Sequence, residues 1–81
     1  MRYRVVDAKY AENFSVWLRF TDGQEGTVDL RPYLSGEIFQ PLANKEQFAR
    51  VRLNTLFGTI EWENGADFAP EFLHQLVRAA K

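Results

Sequence analysis

His74 is the chain's one histidine, and with no cysteine present it is the residue whose ordinary proton affinity best suits base catalysis near neutral pH. In a helical segment it lies beside the apolar stripe, with Glu71 one turn before and Arg78 one turn after. A nucleophile for such a base is missing. Ser15 falls in a strand pattern and Ser35 in a loop, and neither sits in a glycine-flanked elbow. The expectation is a solvated or helix-supporting histidine, with no catalytic residue assigned and no enzyme activity.

Asp7, Asp22, Asp29 and Asp67 stand at predicted turns and strand ends, and a hard cation needs several such oxygens converging. Asp22 with Glu25 is a fragment of that kind, but no EF-hand spacing surrounds it. Structural roles explain three of the four: turn chemistry for Asp22, helix capping for Asp67, and pairing with Arg19 for Asp29. No metal and no cofactor is expected. Gly23-Gln24-Glu25-Gly26 has the outline of the clamp that RNA-binding domains set between helices. Here it falls in a hairpin and contains an acid, so that reading fails.

Arg2, Arg4 and Lys9 cluster near one end, and Arg50 and Arg52 in the middle. Ten basic residues against eleven acidic ones give a formal charge of −1, without the basic excess that phosphate contacts usually demand. Solvated charge is the expectation for these groups. No apolar run approaches the roughly 20 residues that cross a bilayer, so no membrane partner is expected. Asp7 follows the start too soon for a secretory signal, which leaves the Asn13-Phe14-Ser15 glycosylation triplet a chance match. The lack of cysteine fits a reducing, cytoplasmic setting.

The elements that must position these groups form one domain over residues 1–81, a length that buries only about 60–65% of the unfolded chain's surface. Residues 3–10 read as a first strand around Val5-Val6. Phe14, Val16, Leu18 and Phe20 alternate with Ser15, Trp17 and Arg19, the period of a half-buried strand. Asp22-Gly23 turns the chain, and Gly26 to Leu30 returns. Pairing Leu18 with Val28 and Val16 with Leu30 keeps one face apolar. That register needs an odd loop or a bulge, with Gly26 as the extra residue. Trp17 and Asp29 then share the other face, opposite one another, with Arg19 diagonal to Asp29.

Arg31-Pro32 ends that strand. Residues 33–43 read as a loop with one helical turn, docked by its apolar side chains. Asn44-Lys45-Glu46-Gln47 matches a capping box for a short helix over 45–50 that buries Phe48. Val51, Leu53 and Thr55 then form a second hairpin with Ile60 and Trp62. Phe57-Gly58 as its central turn sets Leu53 opposite Trp62, Arg52 opposite Glu63 and Asn54 opposite Glu61. After Asn64-Gly65, a final helix carries Phe72, Leu73, Leu76, Val77 and Ala80 as one stripe. Pro70 suits its first turn, with Asp67 or the weaker Ala69 as cap. The fold class is α+β: antiparallel hairpins in a single layer, packed with a short middle helix and a C-terminal helix.

Phe20-Thr21-Asp22-Gly23, Val28-Asp29-Leu30 and Trp62-Glu63-Asn64-Gly65-Ala66-Asp67-Phe68-Ala69-Pro70-Glu71 together resemble a bacterial family, domain of unknown function 2442. The resemblance spans almost the whole chain and implies a small α+β domain with no assigned activity. Some relatives carry a helix-turn-helix domain after this one; residues 1–81 hold no such domain, so a DNA-reading role borrowed from those relatives is unsupported. Family genes often neighbour another small family, which invites an antitoxin-like role by association alone.

Trp17 points away from the face that holds Val16 and Leu18. Either a second layer such as the last helix covers it, or it is an interface aromatic. The expected interaction surface is Trp17 with Arg19 and Asp29 as a polar rim. The expected function is an accessory or regulatory interaction module whose partner is another protein, or itself as a homodimer. The alternative is a nucleic-acid-binding or transcription-associated module using Arg2, Arg4, Arg19 and Arg52.

Overall fold

A computed structural model of the protein describes residues 3–80. Strands β1 (Val5–Tyr10), β2 (Ser15–Phe20) and β3 (Glu25–Asp29) form an antiparallel sheet in the order β1-β2-β3. Two 3₁₀ turns, Arg31–Tyr33 and Gln40–Ala43, lead to helix α1 (Lys45–Phe48). Strands β4 (Arg52–Asn54) and β5 (Thr59–Glu61) pair as a second hairpin, and helix α2 (Pro70–Ala79) follows. The fold is α+β, as its hydrophobic patterning predicts.

Alternation along β2 sorts its two faces. Val16, Leu18 and Phe20 are at most 1% exposed, whereas Ser15, Trp17 and Arg19 lie on the other side. The parity of the β2–β3 pairing is as expected but the register is two residues shorter: Val16 faces Val28, and Leu18 faces Gly26. The loop is indeed odd. Phe20 and Gln24 close it around Thr21-Asp22-Gly23, with Gly23 at φ 87°. Gly26 is therefore a paired residue and not a bulge. Its bare Cα lets α2 approach, for a Cβ there would stand 3.4 Å from Val77 Cγ1. The irregularity falls in β1, where the ladder shifts between Val5 and Asp7 and Val6 turns outward.

The second hairpin departs in the same way. Leu53 faces Ile60, Arg52 faces Glu61 and Asn54 faces Thr59, not Trp62, Glu63 and Glu61. Its turn holds four residues, Thr55 to Gly58, because the Asn54 side chain accepts the Phe57 N–H and the Asn54 carbonyl the Gly58 N–H. Trp62 lies beyond the ladder and turns into the core.

Asn44 caps α1 as expected, its Oδ1 accepting from the N–H groups of Glu46 and Gln47, although the helix ends at Phe48. Leu42 is buried and Leu34 and Phe39 half-docked, while Tyr33 and Ile38 stay exposed. Asp67 does not cap α2. It bridges back to Glu61, and the helix starts from Ala69 with Pro70 in its first turn. Leu73 and Val77 are fully buried, Phe72 and Leu76 pack partly against the core, and Ala80 is exposed.

Trp62 sits where these elements meet. Its ring lies 5.4 Å from Phe48 and 5.9 Å from Phe68, and its indole N–H donates to the Phe48 carbonyl at 2.9 Å. Trp62→Ala should therefore cost about 3–5 kcal/mol of stability in equilibrium urea melts, as large aromatic truncations in cores do. A loss under about 1 kcal/mol would show that the indole is not core.

Candidate functional site

The core consumes one face of the three-stranded sheet, and α2 lies on that side, with Val77 against Gly26 and His74 against Phe20. The opposite face carries Asp7 and Lys9 from β1, Ser15, Trp17 and Arg19 from β2, and Glu25, Thr27 and Asp29 from β3. The C-terminal helix therefore does not cover Trp17. The ring is half-buried by its strand neighbours: Lys9 Nζ stands 5.9 Å and Arg19 Cζ 6.0 Å from its centroid. Exposed cation–π contacts of this kind contribute about 0.5–1 kcal/mol each. They set two cations against the half-buried indole.

Asp29 shares this face but not this neighbourhood. It lies opposite Ser15, and Trp17 lies opposite Thr27. Arg19 pairs instead with Asp7 at 3.7 Å, across to β1. Asp29 Oδ1 accepts the Arg31 N–H at 3.0 Å. At this end of the sheet Asn13 takes a left-handed φ of 51°, which turns the chain into β2. Asn13, Phe14, Ser15, Asp29, Arg31 and Lys45 there enclose a cleft of about 290 Å³. The Arg31 guanidinium rides over the Phe14 ring at 5.6 Å.

His74 is not solvated. It is 3% exposed, stacked on Tyr3 at 3.6 Å and edge-on to Phe20 at 5.0 Å, with Nε2 2.8 Å from Asp22 Oδ2. A histidine oriented by a carboxylate is also how general bases are held. Here the pair joins α2 to the β2–β3 turn and the stretch before β1, and aromatic rings sandwich the imidazole. A sequence signal existed: His74 shares the helical face of Leu73 and Val77. Burial alone would raise the pKa of Asp22. Hydrogen bonds from the Gln24 N–H and from His74, with the attraction of His74, outweigh it and hold the carboxyl below its ordinary value.

A second exposed feature was missed. Leu56 and Phe57, at the tip of the β4–β5 turn, are 76% and 67% exposed. Arg4 braces that turn from behind, donating to the Thr55 and Leu56 carbonyls at 2.8 and 3.1 Å. Its side chain lies against Gly58, whose φ is 65°. On the same hairpin Glu61 accepts from Asn54 at 2.7 Å and Arg52 at 2.9 Å, and these bonds hold its carboxyl below the usual range.

Three of the four arginines considered for nucleic acid are thus engaged within the molecule: Arg4 by carbonyls, Arg19 by Asp7 and Arg52 by Glu61. Arg2 lies outside the described residues. Among the described residues no three of His, Asp and Glu gather as a metal-holding cluster, and no helix is long and apolar enough to cross a membrane.

An α+β domain of two small sheets and a C-terminal helix, with one sheet face open, is the class this geometry defines. The chain belongs to the family described as "Protein of unknown function (DUF2442)", whose model matches residues 5–79. No curated protein and no solved structure matches it.

Because Asp22 and Glu61 have lowered pKa values when folded, their contributions are fully present above the unfolded carboxylate range and fade as pH falls through the folded values. The double variant Asp22→Asn/Glu61→Gln should therefore be less stable at neutral pH and lose stability less steeply on acidification. Urea melts across an acid pH series measure this, and an unchanged acid slope would contradict it.

Proposed function

We propose that this protein is a non-enzymatic accessory module that binds a partner protein on the open face of the β1-β2-β3 sheet, with Trp17 as anchor. The observation that carries the reading is the position of Trp17: a large aromatic on the face opposite α2, half-exposed and propped between Lys9 and Arg19. Interface cores are enriched in tryptophan and arginine, and a rigid ring loses little freedom on binding. The braced Leu56-Phe57 tip adds a second apolar contact that nothing in the described residues covers. The cysteine-free composition suits work in a reducing compartment such as the cytoplasm.

The nucleic-acid alternative draws support from the same aromatic between cations. It is weakened by Asp7, Glu25 and Asp29 on that face and by the internal engagement of Arg4 and Arg52. Self-association of this face is the remaining variant of the reading.

Trp17→Ala should cost only about 1–2 kcal/mol of stability, the sum of its two exposed cation contacts. It should nonetheless abolish partner capture in affinity purification from the native host, or self-association in sedimentation. A large drop in melting temperature with unaltered association would overturn the reading. So would salt-dependent retention of the wild-type protein on DNA cellulose that Trp17→Ala removes.

A further inference from the structure

The cleft at the Ser15 end of β2, two residues along the strand from Trp17, bears on the chemistry of the partner, and its assignment rests on the sheet-face reading of Trp17. Two cations line it, Arg31 and Lys45, and neither makes an ion pair among the described residues. Elsewhere on this face Arg19 lies 3.7 Å from Asp7 and opposite Glu25, and Lys9 lies over the Trp17 ring. Arg31 is also positioned, its backbone N–H tied to Asp29 and its guanidinium laid over Phe14. A planar guanidinium presents paired donors that fit one carboxylate, and Lys45 adds a point charge beside it.

The remaining lining residues are Asn13, Phe14, Ser15 and Asp29, and all but Phe14 offer amide, hydroxyl or carboxylate atoms suited to a peptide backbone. The cleft, at about 290 Å³, lies just below the range of about 300–1,000 Å³ typical of small-molecule sites. It has room for one side chain and its flanking backbone. Arg31 and Lys45 against Asp29 leave one net positive charge in the cleft, enough for a single carboxylate and too little for a polyphosphate backbone, which is held by several cations. Along β2, Ser15 and Trp17 are two residues apart, about 6.6–6.8 Å, and an extended ligand repeats with the same step.

We propose that the cleft formed by Ser15, Asp29, Arg31 and Lys45 receives an aspartate or glutamate side chain of an extended segment in the partner protein. The residue two positions away in that segment is apolar and lies on Trp17. The acidic residue supplies register and charge selection, and the apolar one supplies buried area.

The test is a titration of isotope-labelled protein followed by NMR, with acetyl-Gly-Glu-Ser-Leu-Gly-amide as probe. The expected result is movement of the Ser15, Arg31 and Lys45 amides together with the Trp17 indole. Replacing Glu by Gln in the peptide, or Arg31→Gln with Lys45→Gln in the protein, should weaken binding about tenfold or more. Both substitutions are at exposed sites, and loss of the Arg31–Phe14 contact should lower stability by no more than about 1 kcal/mol, so the variant stays folded and lost binding is separated from lost folding. Equal binding of the Glu and Gln peptides overturns the proposal. So do equal shifts with inorganic phosphate, or tighter binding of a short oligodeoxythymidylate. Movement of Trp17 without the cleft residues overturns the cleft and leaves the sheet-face reading standing. Movement of the cleft residues without Trp17 overturns both.

Discussion

The burial of Trp62 is the constraint on which the rest of the structure depends. Its N–H bond to the Phe48 carbonyl removes the cost of burying the indole nitrogen and fixes the ring's orientation. From there rings run outward through the molecule. Phe48 meets Phe14 and Tyr10, which ties α1 to the first sheet. Phe68 meets Phe39 and Phe72, and Phe72 meets Tyr33, which ties the long middle segment to α2. A chain this short buries too little surface to tolerate a loose core, so large rings in edge and stacked contact supply the needed area from few residues. Among the described residues Phe57 is the one phenylalanine without a ring partner, and it is the one placed on an exposed tip.

That economy leaves one face of the first sheet free. α2 packs on the core side, where Gly26 admits Val77 and the His74–Asp22 bond secures the helix to the turn. Nothing in the described chain lies over the other side. A half-exposed tryptophan there gains less from folding than a buried one, and its contacts on that face are with two cations. Alternation along β2 thus divides labour between residues one position apart: Val16 and Leu18 hold the domain together, and Trp17 faces outward.

The fold class, the faces of β2, the Asn44 cap, the Trp62 core position and the α2 stripe were all legible in the sequence. Each depends on local spacing. Both hairpin registers were missed by two residues, and for one reason. Burial selects which face a residue occupies, hence the parity of pairing, but a shift of two preserves that face. The turn decides the rest, through Thr21-Asp22-Gly23 in one case and the Asn54 side chain in the other. The site inherits this error: with the register shortened, Asp29 moves from Trp17 to Ser15 and Arg19 turns to Asp7. The burial of His74 was signalled by its place beside Leu73 and Val77, but its partner, Asp22, is distant in sequence and helix periodicity does not name it.

The central claim is that the two faces of β2 do separate work and that the outward one meets another protein. Photo-crosslinking in the native host tests it most directly, with a benzophenone amino acid at position 17 and, as control, at the exposed helix position 75. The account predicts one discrete protein adduct from position 17 that is absent from position 75. Identical adduct patterns from both positions, or adducts to nucleic acid from position 17, would contradict it.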